Sequence, residues 1–273
     1  MKAAPTILLF DSGLGGLTVL REVVKARPDA RYIYIADDTG FPYGDQDEAR
    51  LIERVLAVIG RAIETQRPDL VVIACNTAST LALAPLRARF SVPFVGTVPA
   101  IKPACAASRS KRISVLGTQA TVSREYTRAL IREFAAGCDV KLIGSSKLAT
   151  YAEAELDGRP AADSAIAEEI SPCFIDQVGR RTDTVVLACT HYPLLLDRFR
   201  RLAPWPVDWI DPAPAIARRV LDLIGRPAAA KPAAPAQFLF SSGRTPSPAL
   251  AAALARFGFM VPAGRIDTPP LSA

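Results

Sequence analysis

Two short stretches of the sequence nearly repeat each other, and each predicts a buried strand that ends at a cysteine. Residues 71–75 read VVIAC and residues 185–189 read VVLAC. Apolar runs rich in β-branched residues are typical of strands buried on both faces of a parallel sheet. Ligands of open α/β sheets bind beyond the carboxyl ends of the strands, so Cys75 and Cys189 are both expected at a binding edge. Two thiols facing each other across a cleft could remove a proton from one face of a carbon atom and return a proton to the other.

The order of the predicted elements indicates an internal duplication. Each half reads as strand, small-residue turn, helix, strand, long helix, strand and cysteine. This alternation predicts the α/β class with mainly parallel sheets, in two similar lobes around a cleft. Later elements, such as a strand at Gln237–Phe240 after an alanine- and proline-rich linker at 227–235, are expected to return to the first lobe. We therefore predict one lobe of residues 1–97 plus 208–273 and a second lobe of residues 98–207.

Composition excludes several classes of protein. The net charge is +6, but the basic residues are scattered along predicted helices, so nucleic-acid binding is not expected. No run of 18 apolar residues predicts a membrane span, and the N-terminus leads into a first strand rather than a signal peptide. The five cysteines include no CxxC pair, which argues against a disulfide framework. Free thiols in a reducing cytoplasm are expected, with Cys105, Cys138 and Cys173 filling space in the core.

Small polar residues follow each of the two strand-end cysteines and open the next predicted helix, where backbone N–H groups bind anions. They are Asn76 and Thr77 after Cys75, and Thr190 and His191 after Cys189. Neighbouring donors of this kind lower the pKa of a thiol. His191 is the only histidine of the chain and could tune the protonation of the preceding thiol. A metal site is not expected, because no group of cysteines and histidines has ligand spacing.

Three further turns lie at the same predicted edge. Residues 11–16 (DSGLGG) form a tight glycine-rich turn, in which Asp11 suits either a substrate ammonium group or the activation of a thiol. Residues 36–44 (ADDTGFPYG) form a loop that could cover a ligand. In the second half, residues 116–121 (LGTQAT) place Thr118 and Thr121 where they could donate to a carboxylate or simply cap the next helix.

With these segments in place, the chain closely resembles the glutamate racemases of the cofactor-independent aspartate/glutamate racemase family. Matching motifs run in family order through nearly the first 200 residues. They are DSGLGGLTV at 11–19, ADDTGFPYG at 36–44, ACNTAST at 74–80, GTVPAIKPA at 96–104, LGTQATV at 116–122 and ACTHYPLL at 188–195.

The resemblance implies two flavodoxin-like lobes with glutamate buried between them, no cofactor and a homodimeric assembly. It implies Cys75 and Cys189 as the two catalytic acid/bases, with Asp11 and His191 as their activating neighbours. Glu153 is implied as a further acid, with Glu155 as the alternative, because the segment before them departs from the family pattern. The implied substrate-binding residues are Ser12, Pro42, Tyr43, Gly44, Asn76, Thr77, Thr118, Thr121, Thr190 and His191. The product would be D-glutamate for peptidoglycan.

Three other functions remain open from the sequence. A racemase for aspartate or another polar amino acid would share these residues and differ in the size of its pocket. A hydrolase or transferase could use Cys189 with His191, although Cys75 would then have no role. A binding protein without catalytic activity could hold an amino acid between two lobes. The paired thiols favour racemisation, in which preorganised donors stabilise the developing carbanion.

Overall fold

Twelve strands form two parallel sheets and one small hairpin in the computed structural model, which describes residues 4–177, 179–227, 236–259 and 264–265. In the first sheet the strand order is β12-β11-β2-β1-β3-β4, and every pairing is parallel. Its strands are β1 (Thr6–Asp11), β2 (Arg31–Ala36), β3 (Leu70–Ile73), β4 (Phe94–Gly96), β11 (Gln237–Phe240) and β12 (Gly264–Arg265).

The second sheet has the order β10-β9-β5-β6, again with parallel pairing. Its strands are β5 (Arg112–Thr118), β6 (Asp139–Ser145), β9 (Thr184–Ala188) and β10 (Asp208–Ile210), and β7 (Asp176–Gln177) pairs with β8 (Arg180–Arg181) in a separate antiparallel hairpin. Read from its other edge, the second sheet has the order β6-β5-β9-β10, which corresponds strand by strand to the order β2-β1-β3-β4 in the first sheet. This shared order agrees with the internal duplication that the sequence predicts.

One boundary falls later than predicted. Strand β10 pairs with β9, so residues 208–210 belong to the second sheet rather than the first. The reason is the duplication itself, since β10 occupies the place in the second sheet that β4 occupies in the first. Sheet membership changes after Ile210, and β11 then pairs with β2 of the first sheet. The division into two domains otherwise stays a prediction, and residues 228–235 of the predicted linker lie outside the described residues.

Eleven α-helices connect the strands in the described ranges. They are α1 (Leu17–Ala26), α2 (Glu48–Gln66), α3 (Asn76–Arg89), α4 (Ile101–Ala107), α5 (Gln119–Ser123), α6 (Glu125–Phe134), α7 (Leu148–Leu156), α8 (Asp163–Ile170), α9 (Leu196–Leu202), α10 (Ala213–Ile224) and α11 (Pro248–Arg256). Helix α8 ends at Ile170, because Pro172 cannot continue the hydrogen-bond ladder and lies in a short 3₁₀ turn instead. None of the helices described is long and apolar enough to cross a membrane.

Hydrophobic residues cover both faces of each sheet. On the first sheet, Leu9 and Val72 face α1 and α10, whereas Phe10 and Ile73 face α2 and α3. The alternation explains why the central strands read as unbroken apolar runs, since successive side chains point to opposite, equally buried faces. Burying one such side chain contributes roughly 1.5–3 kcal/mol. The apolar strands therefore hold the polar residues at their carboxyl ends in fixed positions.

Candidate active site

Cys75 lies two residues after the end of β3 and caps the N-terminus of α3. Its sulfur accepts a hydrogen bond from the backbone N–H of Ala78 at 3.5 Å, and its thiol donates to Ser12 Oγ at 3.8 Å. Only 5% of the residue is exposed. Burial, reinforced by the Asp11 carboxylate, raises the pKa of Cys75 to about 12. At neutral pH this thiol is therefore protonated.

Cys189 follows β9 in the second sheet and has different neighbours. Its sulfur lies 3.8 Å from His191 Nδ1, and His191 Nε2 lies 2.8 Å from Glu153 Oε1. Burial alone would lower the pKa of His191, but the hydrogen bonds and negative charges of Cys189 and Glu153 raise it well above its usual value. The imidazole is thus held in its charged form between the Cys189 sulfur and the Glu153 side chain.

Asp11, at the end of β1, connects the two lobes. Its carboxylate accepts hydrogen bonds from the backbone of Gly13 at 3.2 Å and from Thr190 Oγ1 at 3.1 Å. Burial raises the pKa of Asp11, and the positive charge of His191 opposes that rise. Thr18 Oγ1 adds a second link by donating to the carbonyl of Thr190 at 3.3 Å.

Glycines allow the first turn to approach the second lobe. A Cβ atom on Gly13 would lie 2.3 Å from Glu153 Oε1, and one on Gly15 would lie 2.5 Å from His191 Nδ1. Between them, the backbone N–H of Leu14 donates to Glu153 Oε1 at 2.5 Å. Neither position can carry a Cβ atom unless a neighbouring atom shifts, since real Cβ contacts do not occur at such distances.

Three threonines meet on the opposite side of the site. Thr118 Oγ1 accepts from the backbone N–H of Thr121 at 3.2 Å and so caps α5, one of the two roles open from the sequence. Its hydroxyl also lies 3.0 Å from Thr121 Oγ1 and 3.4 Å from Thr77 Oγ1. Thr77 lies in the first turn of α3 in the first lobe, so this cluster joins the two lobes a second time.

A partly open cavity lies between the lobes at the carboxyl ends of both sheets. Most of the predicted site residues line it, and Asp11, Thr121 and Glu153 stand behind the wall in contact with lining residues. The lining residues are Ser12, Phe41, Pro42, Tyr43, Gly44, Cys75, Asn76, Thr77, Thr118, Ala149, Ala188, Cys189, Thr190 and His191.

Asn76 is an unusual member of the cavity wall. It is buried, yet neither its amide nitrogen nor its amide oxygen has a hydrogen-bond partner among the described residues. An unpaired buried amide is costly, and in a cavity it indicates a polar ligand that supplies both an acceptor and a donor. Of the described lining residues, only His191 can carry a positive charge.

The sequence reasoning missed three lining residues. The ring of Phe41 lies 5.4 Å from the imidazole of His191, and its position directly before the predicted site residues Pro42, Tyr43 and Gly44 could have indicated that it lines the cavity. Ala149 and Ala188 carry small apolar side chains that gave no such signal. Of the two alternatives Glu153 and Glu155, it is Glu153 that contacts His191, whereas Glu155 pairs with Arg198 at 2.8 Å. In the part of the chain that the structure describes, no group of three or more potential ligands could hold a metal ion.

Comparisons with known proteins agree with this geometry. The family model described as Asp/Glu/hydantoin racemase matches residues 12–220. Glutamate racemase of Brucella anthropi is 58% identical over 80% of this chain and 79% of its own length, and that of Rhizobium meliloti is 55% identical over 87% of each. The crystal structure of Escherichia coli glutamate racemase, in complex with L-glutamate and the activator UDP-MurNAc-Ala, superposes with a TM-score of 0.85 at 39% identity, covering 94% of this chain and 96% of that one. The chain is therefore an isomerase of the Asp/Glu/hydantoin racemase family.

Proposed function

We propose that this enzyme interconverts L- and D-glutamate by a two-base proton transfer at Cα, without a cofactor, and so supplies D-glutamate for peptidoglycan. One observation carries the proposal: two buried thiols, Cys75 and Cys189, line the same cavity and come from corresponding strands of two similar sheets. Relatives named glutamate racemase at 55–58% identity favour glutamate over aspartate as the substrate.

The resting protonation state follows from the surroundings of the two thiols. Cys75 has its pKa raised to about 12 and is a neutral thiol, so the proposed reaction assigns the initial base to Cys189, whose sulfur lies 3.8 Å from the charged imidazole of His191. The Cys189 thiolate takes the proton from Cα and becomes a thiol. The Cys75 thiol then gives its proton to the opposite face of Cα and becomes a thiolate. The reverse reaction starts from that exchanged state.

The negative charge that develops on the substrate needs stabilisation from neutral donors. Ser12 and Thr118 offer hydroxyl groups, and Asn76 offers an amide with no other partner in the described residues. Donors held in fixed positions stabilise a developing enediolate more effectively than mobile water does, because they are already oriented. Asp11 acts from behind this wall by orienting Thr190.

The decisive experiment follows the loss of circular dichroism from L-glutamate and, separately, from L-aspartate, with a chelator present and no cofactor added. We expect rapid loss with glutamate only, and incorporation of deuterium at Cα in deuterated water. Loss with aspartate alone would assign the other substrate. A trapped acyl-enzyme on Cys189, or tight binding with no exchange at Cα, would refute racemisation in favour of a hydrolase or a binding protein.

We further propose that the enzyme works as a homodimer in the cytoplasm. The resemblance to glutamate racemases supports the assembly, and the use of unpaired cysteines supports a reducing compartment. Sedimentation equilibrium measures the mass directly, and a species of 29.2 kDa at all concentrations would contradict the dimer.

A further inference from the structure

We infer that Arg54 is a positioning residue for the reaction proposed above, acting through Asp37 and Tyr43 on the loop that forms one wall of the cavity. This rim loop comprises residues 38–45, between β2 and α2. Arg54 itself lies outside the cavity lining, in the second turn of α2. The inference rests on the proposed function for its kinetic part, but its structural part can be tested without any substrate.

The first link is a buried ion pair. Asp37 directly follows β2 and is completely buried, while 14% of the Arg54 side chain is exposed. Arg54 Nε donates to Asp37 Oδ2 at 2.6 Å, and Arg54 Nη2 donates to Asp37 Oδ1 at 2.5 Å. Such a two-point contact fixes the orientation of both groups, which a single hydrogen bond would not do.

The second link joins this ion pair to the rim loop. The hydroxyl of Tyr43 donates to Asp37 Oδ2, and Arg54 Nη2 also donates to the hydroxyl of Thr39. Burial, followed by the charge of Asp37, raises the pKa of Tyr43 well above its usual value, so its hydroxyl remains a donor. One carboxylate therefore holds α2 and the rim loop together.

The backbone of the rim loop packs closely against Arg54 and Tyr43 at Gly40. A Cβ atom on Gly40 would lie 2.5 Å from Arg54 Nε and 2.8 Å from Tyr43 Cε1. Only glycine lets the guanidinium and the phenol pack against the loop backbone at this point. Substitution of Gly40 would therefore displace the ion pair or the loop without removing any charge or hydrogen-bonding group.

The cavity wall that the rim loop forms is the same whichever of the two thiols removes the proton. Pro42, Tyr43 and Gly44 line the cavity, and a Cβ atom on Gly44 would lie 3.3 Å from Thr118 Cβ in the other lobe. Inversion at Cα leaves the rest of the substrate in place, so both enantiomers use this wall. Loss of the Arg54 anchor should therefore weaken the binding of both enantiomers and change the proton transfer itself much less.

The kinetic test compares Arg54→Lys, Gly40→Ala and the double variant Arg54→Met/Asp37→Asn with Arg61→Ala, an exposed arginine of the same helix. We expect KM for L- and D-glutamate to rise at least tenfold in the first three proteins, with kcat lowered less than threefold, and no change in Arg61→Ala. The double variant removes both buried charges together. A thermal melting temperature close to wild type with KM still raised would separate positioning from mere stability.

A second readout needs no turnover. In the free enzyme, Cys189 is 6% exposed, and loosening of the rim loop should open the cavity to solvent. We expect iodoacetamide to modify Cys189 at least five times faster in Arg54→Lys and Gly40→Ala than in wild type, relative to the more exposed Cys138 in the same protein.

Wild-type KM in all three folded variants, together with wild-type alkylation rates in Arg54→Lys and Gly40→Ala, would overturn the role of Arg54. If Cys189 were alkylated faster in the two variants, as expected, but the wild-type enzyme did not racemise glutamate, the proposed function would be refuted and the anchoring of the rim loop would remain supported.

Discussion

At the scale of single residues, the site combines two chemically similar thiols with dissimilar surroundings. Cys75 has the Asp11 carboxylate and the Ser12 hydroxyl nearby, whereas Cys189 has a charged imidazole 3.8 Å away. The proposed two-base reaction requires the two thiols to rest in opposite protonation states, and two like groups need different environments to do so. The sequence predicted both thiols because strand and cysteine recur together, but it could not predict their protonation, which depends on burial and on contacts between distant segments.

Removal of either thiol should stop turnover. We expect Cys75→Ala and Cys189→Ala each to lower kcat for racemisation by about 10³-fold or more, because each loses one of the two groups that carry a proton. Circular dichroism of pure L- and pure D-glutamate measures both directions. Cys173→Ala, which removes a buried thiol that does not line the cavity, is the matched control and should retain activity. A single-thiol variant with substantial turnover in both directions would contradict the two-base mechanism.

The contact between His191 and Glu153 makes a prediction about pH. Glu153 raises the pKa of His191, so the charged imidazole is present below that pKa and is lost as the pH rises through it. Glu153→Gln removes the negative charge and lowers this pKa. The alkaline limb of kcat/KM against pH should therefore move to lower pH. Glu155→Gln, whose carboxylate pairs with Arg198, should leave the profile in place. The same profile in both variants would show that Glu153 does not set the charge of His191.

The asymmetry of the two thiols predicts unequal effects of His191→Asn on the two directions. His191 contacts Cys189, so kcat should fall more for the enantiomer whose proton Cys189 removes. The equilibrium constant between enantiomers is one by symmetry, so the two kcat/KM values must stay equal and KM must compensate. Initial rates from pure L- and pure D-glutamate measure this. Equal fractional losses of kcat would indicate a positioning or structural role for His191.

At the scale of elements, the carboxyl ends of the strands position the site, and the sequence indicates where these strands end for a physical reason. Strands buried on both faces leave a continuous apolar pattern, and the polar residue that ends the pattern marks the ligand edge, as at Asp11 and Cys75. Helix α7 shows the opposite case. Its segment departs from the family pattern, so the sequence left Glu153 and Glu155 as alternatives, and in the structure it is Glu153 that contacts His191.

The glycine-rich turn after β1 should not tolerate a side chain at Gly15. A Cβ atom there would lie 2.5 Å from His191 Nδ1 and 2.6 Å from the His191 backbone nitrogen, so the two lobes would have to separate. We expect Gly15→Ala to lower the free energy of unfolding by roughly 1–3 kcal/mol and to remove most of the activity. Gly137→Ala is the comparison, because that exposed turn has open space around the added carbon. It should lose stability through its left-handed backbone but keep full activity.

At the scale of the whole molecule, the two lobes act as one site because contacts cross the cleft on both sides. The pairs Asp11–Thr190 and Thr77–Thr118 join residues that are far apart in the sequence. The duplication predicts that two lobes exist and that their strand ends carry the chemistry. It does not predict how they meet, since Arg124, which contacts the first lobe, lies in the short link between α5 and α6, where no periodic pattern indicates its contacts.

Arg124 provides a test of how strongly lobe contact supports catalysis. It lies between α5 and α6 of the second lobe, and its guanidinium donates to the Thr77 carbonyl at 3.2 Å, to Thr80 Oγ1 at 2.8 Å and to Glu48 Oε1 at 3.1 Å in the first. Because Thr77 lines the cavity, Arg124→Ala should loosen one wall as well as the lobe contact. We expect a loss of roughly 1–3 kcal/mol in urea unfolding, together with a raised KM for both enantiomers. Arg128→Ala, an exposed arginine of the same segment, should change neither quantity. If Arg124→Ala lost stability while keeping wild-type KM, the contact would support the fold alone, and closure of the cavity would depend on the Asp11 and threonine contacts.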